Sequence, residues 1–128
     1  MSTNCRLTEA GSVTLDRVFV RLPPQQIRTL LLAIAARLDD GFTKANVEQF
    51  CSELVALSAD DDLMIEPIVA YQGAQLPLVI DAFKDASPSL ELVFMTPALL
   101  ADLAESEVRA LFGDISVRRI PGPTEIAG

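Results

Sequence analysis

Leu90, Leu92, Val93, Phe94 and Met95 form an apolar run interrupted only by Glu91. Such a run predicts a strand covered on both faces. Thr96 then stands where a hydroxyl can cap the first turn of a helix, and Pro97 suits the first helical position. Ala98 to Phe112 are good helix formers, and Gly113 supplies a left-handed helix end. Asp114 to Ile120 predicts a further strand. The chain is organised around this β-α-β unit.

The preceding elements follow from their own spacing. Val13 to Leu22 predicts a half-exposed or edge strand, with Val18, Val20 and Leu22 on one face and Arg17, Phe19 and Arg21 on the other. Pro23 and Pro24 stop it, and Pro24 can open the next helix. Ile27, Leu30, Leu31, Ile34 and Leu38 recur at helical spacing up to a Gly41 stop, and Leu32, Ala35 and Ala36 extend apolar surface around the helix. Thr43 is placed to cap a second helix, Lys44 to Ser58, whose inner stripe is Val47, Phe50, Cys51, Leu54 and Val55.

Leu63 to Tyr71 predicts the second strand, with Pro67 demanding a sheet margin or a bulge. Gln75 to Ala86 is ambiguous. Leu76, Val79, Ile80 and Phe83 are spaced for a helix, and Pro77 suits its first turn. QGAQ also suits a hairpin turn joining two antiparallel strands. The helix is preferred, because Ala82, Lys84, Asp85 and Ala86 continue it. Glu107 is a second ambiguity. In one continuous helix it falls within the apolar stripe of Leu100, Leu103, Ala104, Val108 and Leu111, where it needs a partner such as Arg17, Arg21, Arg118 or Arg119. With a break capped by Ser106 it is exposed, and the break is the preferred form.

The fold expected is a single α/β domain spanning residues 1–128, with residues 1–12 and 121–128 loosely ordered. Its sheet is four-stranded and mainly parallel, ordered β-αα-β-α-β-α-β, with helices on its faces. An α+β fold with a mixed sheet is the alternative. A length of 128 residues fits one domain, and half of them are apolar with only 5% aromatic, so aliphatic side chains must fill the core. The mean hydropathy of +0.34 is high for a small protein and points either to apolar surface covered by a partner or a second copy, or to an aliphatic-rich core alone.

A net charge of −8 argues against nucleic acid and anionic membranes. The longest apolar run, Leu30 to Ala36, is too short to span a bilayer, and MSTNCRLTEAGS lacks the apolar core of a signal peptide. With two cysteines and no CxxC spacing, a cytoplasmic protein with reduced thiols is expected.

No motif fixes a chemistry, and no cofactor is called for. With no histidine in the chain, Cys51 lacks an activating base and is assigned to the core. Asp60, Asp61 and Asp62 lack the spaced ligands, central glycine and distal glutamate of a calcium loop. No metal site and no catalytic residue are assigned. Candidate ligand-binding residues are Tyr71, Gln72, Gly73 and Thr96, which would sit at the carboxyl ends of parallel strands.

The stretch AQLPLVIDAFKDASPSLELVF resembles the first helix and second strand of ligand-binding domains in LysR-type regulators and periplasmic binding proteins. The resemblance covers about a sixth of the chain and implies local strand-helix-strand structure, with no function carried over.

The function expected is a non-enzymatic protein–protein interaction module that self-associates into a homodimer. Arg28, Leu32 and Ala36 on the first helix are its candidate contacts. The alternatives are a small-molecule or anion-binding domain, and an acidic inhibitor or immunity-type protein of a basic partner.

Overall fold

A computed structural model describes residues 14–85, 88–113 and 115–122. Ten elements follow in order: β1 (Asp16–Leu22), α1 (Pro24–Arg37), α2 (Lys44–Leu54), β2 (Asp62–Ile65), β3 (Ile68–Tyr71), β4 (Ala74–Pro77), β5 (Val79–Lys84), β6 (Leu90–Thr96), α3 (Ala98–Phe112) and β7 (Val117–Ile120). Five strands form one sheet in the order β2-β5-β6-β1-β7, while β3 and β4 form a separate hairpin. Every strand pair is antiparallel. The class is therefore α+β, and the expected four-stranded parallel sheet is overturned, as is the mixed one. None of the described helices is long and apolar enough to cross a membrane.

The largest local correction falls on the helix expected over Gln75 to Ala86, where most of β4 and all of β5 stand instead, Ala86 itself lying outside the described residues. The expected second strand also divides, because Pro67 separates β2 from β3 and sends them to different sheets. The hairpin turns on Gln72 and Gly73, both with positive φ (52° and 82°), as a tight two-residue hairpin requires. Thr96 caps nothing. Its hydroxyl donates to the Pro77 carbonyl at 2.7 Å, which ties β6 to the end of β4.

The helices keep closer to their expected spans. Thr43 caps α2 by accepting from the Asn46 N–H at 3.2 Å, and the Asn46 side chain returns a bond to the Thr43 N–H at 2.9 Å. The first helix ends at Arg37, before the expected glycine stop. Gly41 instead lies against β3, where a Cβ would come within 2.3 Å of the Ile68 carbonyl oxygen. Helix α3 is continuous through Ser106, so the preferred break is absent and Glu107 is buried. Leu111, assigned to its apolar stripe, is exposed.

The core lies on one side of the sheet. Val18, Val20 and Leu22 of β1, Leu90, Leu92 and Phe94 of β6, and Ile80 and Ala82 of β5 pack with α1, α2, α3 and Val69 of the hairpin. Strand β1 alternates as its sequence predicts, but it is flanked by β6 and β7 and is not an edge. Arg119 of β7 joins the helix side as well. It bonds Asp16 at 2.7 Å and also pairs with Asp102 and Glu105 of α3.

Candidate functional site

The alternation that sends one set of side chains into the core sends the other set to the opposite face of the sheet. Cross-strand register aligns these in rows. Arg118, Phe19, Val93, Asp81 and Met64 form the central row from β7 to β2. Ile120, Arg17, Met95 and Val79 form one flanking row. Arg21, Glu91, Phe83 and Asp62 form the other. None of the apolar members of these rows belongs to the core cluster or packs against it. Met64, Phe83 and Ile120 are exposed, while Phe19, Val79, Val93 and Met95 are partly covered by their neighbours. Strand β6 is thus covered by described elements on one face, where its apolar run predicted two.

Charge is distributed unevenly across this face. On the β1–β7 half stand Arg17, Arg21 and Arg118. The Arg118 guanidinium lies 4.5 Å from the centroid of the Phe19 ring, and Arg21 pairs with Asp85 at 3.0 Å. A shallow depression of about 400 Å³ opens here, lined by Phe19, Val20, Arg21, Glu91, Ser116 and Arg118. On the β2–β5 half, Asp62 and Asp81 are diagonal neighbours across the ladder. Burial pushes the Asp81 carboxyl up from its ordinary value, and the nearby Asp62 charge and a hydrogen bond with Asp62 add to the rise. Asp81 Oδ1 is shielded from solvent and has no hydrogen-bond partner among the described residues. A cation brought to this spot would meet an unsatisfied acceptor.

The candidates from sequence lie elsewhere. Tyr71, Gln72 and Gly73 sit together at the hairpin turn, where the Gln72 N–H donates to the Asp39 carboxylate at 3.2 Å. Thr96 is fully buried and bonded at the other end of β4, about 10 Å along the strand from that turn. Arg28, Leu32 and Ala36 share one face of α1. Arg28 forms a two-pronged pair with Glu48 of α2, at 2.9 and 2.5 Å. Leu32, Ala35, Ala36 and Lys44 line an apolar depression of about 360 Å³, but Leu32 and Ala35 already pack in part against the core.

The signals for catalysis are equally sparse. Cys51 is half-buried beside the core, and burial raises its thiol above the ordinary value, with the Glu48 charge adding to the rise. Cys5 lies outside the described residues. Among the described residues no group of three or more Cys, Asp or Glu is placed to hold a metal ion.

The residues missed from sequence are Asp81, Val93, Met95 and Arg118. The alternation in β1 exposed their kind of face, but their common placement depends on strand order. Compared with models of known families, with curated proteins and with solved structures, the chain matches none.

Proposed function

We propose that this chain is a non-enzymatic protein–protein interaction module that works through the face of its five-stranded sheet that no described helix covers. The observation that carries this reading is the apolar row set of that face, which lies outside the core yet spans all five strands. A face with aromatic, Met and Arg side chains has the composition of the centre of a protein contact. The raised thiol of Cys51 and the use of Asp16 and Glu107 in ion pairs leave few groups suited to catalysis. The acidic charge disfavours nucleic acid and anionic lipid as partners. A cytoplasmic location is part of the proposal, supported by two cysteines without a CxxC spacing.

Site-specific photo-crosslinking in the expressing cell tests it. A photoreactive amino acid replaces Met95 on the sheet face, or Gln49 on the exposed side of α2 as the control. Protein adducts from position 95 that position 49 does not give are the expected result. Absence of a protein adduct from position 95, or equal yields from both positions, overturns the reading.

A further inference from the structure

We propose that the occupant of the sheet face is a second copy of this chain, packed face to face about a two-fold axis lying between the sheets and parallel to β6. This rests on the reading of that face as a protein contact, and it names the partner. The argument is the sign of charge across the strands. Arginines 17, 21 and 118 occupy the β1–β7 half, and Asp62 with Asp81 occupies the β2–β5 half, with Glu91, Val93 and Met95 of β6 between them.

An isologous contact must pair each patch with its counterpart across the axis. An axis parallel to β6 lays β7 and β1 of each copy over β2 and β5 of the other. Arg21 and Arg118 of one copy then stand beside the Asp62–Asp81 pair of its partner twice over, Val93 meets Val93 at the centre, and Glu91 meets Glu91 between the Arg21 side chains of the two copies. An in-plane axis perpendicular to the strands would instead lay arginine on arginine and aspartate on aspartate. The register therefore selects one orientation, and it is the aligned packing of two sheets in a sandwich. A wholly basic partner would suit the aspartates but would confront three arginines on the other half. A copy of the same face answers both halves. It also offers Asp81 Oδ1 the donor that it lacks among the described residues.

Sedimentation velocity at micromolar to sub-millimolar concentration supplies the test. Wild type is expected at twice the chain mass of 13.8 kDa. Asp81→Arg and Arg118→Asp each place like charges across the axis, and each alone should weaken dimerisation by roughly 100-fold or more. Mixing the two variants restores opposite charges at both contacts, so the mixture should dimerise where neither variant does. If either variant fails to fold, oxidation of Met64 and Met95 in wild type takes its place, and both should oxidise more slowly as concentration rises. A wild type that stays monomeric overturns the proposal. So does a dimer that both charge reversals leave intact, or one in which Met64 and Met95 gain no protection. A monomer that still cross-links to another protein from position 95 ends the self-association but leaves the interaction reading standing.

Discussion

Arg37, in the last turn of α1, places its Nη2 3.1 Å from Oε2 of Glu107 on α3. The carboxylate sits inside the apolar stripe of α3, with a side chain only 9% exposed, while the arginine is largely in water. The pair joins two helices that pack together over the sheet. Arg37→Ala leaves a buried carboxylate without its cation, and the expected loss is about 1–2 kcal/mol, reduced from a fully buried pair by the exposure of the arginine. Glu107→Met in the same background should recover most of it, because an apolar side chain of similar size needs no partner. Urea unfolding of the three proteins measures both effects.

Asp16 predicts a pH dependence. The Gly122 N–H at 2.9 Å and then the Arg119 guanidinium hold its carboxyl below the ordinary value. A carboxyl lowered on folding adds stability above its unfolded value of about 3.9, and that stability is lost as pH falls through the lower folded value. Asp16→Asn should therefore lower the urea midpoint at pH 7. The gap to wild type should narrow below about pH 4. A gap that is constant from pH 7 to pH 2.5 would contradict the assignment.

Asp81 has the opposite sign. Its carboxyl is raised on folding, so the charged form costs stability above the folded value, and the cost is relieved as pH falls through it. In dilute protein, below the concentration of association, Asp81→Asn should raise stability at pH 7, because it removes a desolvated charge and its repulsion with Asp62. Thermal melts at pH 7 and pH 4 should show this gain shrinking in acid. The same substitution should weaken the dimer, so stability of the chain and strength of association move in opposite directions.

Gly41 packs closely against β3 in the helix connection. Its φ is +95°, and a Cβ would lie 2.3 Å from Ile68 O and 2.7 Å from Val69 Cα, both backbone atoms. Gly41→Ala should cost about 2 kcal/mol or more, combining left-handed strain with displacement of β3. Loss of the Ala70 N–H to Asp40 carbonyl bond, 2.9 Å in the native chain, should accompany it as faster hydrogen exchange at Ala70. A stability within about half a kcal/mol of wild type would show that the loop and hairpin do not meet there.

What the sequence by itself determined was local. The three helices, the Thr43 cap, the inward Val47, Phe50 and Leu54 of a stripe whose expected member Val55 is exposed, and the two-faced alternation of β1 all arise from residues within a few positions of one another. Helical spacing and capping act over one or two turns, so they are legible in the chain. Tertiary structure decided the rest. Leu76, Val79, Ile80 and Phe83 fit a helix in isolation, but β6 and β2 give β5 two ladders of hydrogen bonds and place Ile80 and Ala82 in the core. Strand direction was equally hidden, because the partners of β1 lie far along the chain in β6 and β7. Glu107 found Arg37 on α1, where the sequence offered only strand arginines, since a helix crossing is set by packing. The candidate surface is the furthest from local information. Arg118, Phe19, Val93, Asp81 and Met64 become one row only when five strands are ordered and registered, and nothing within any one strand carries that order.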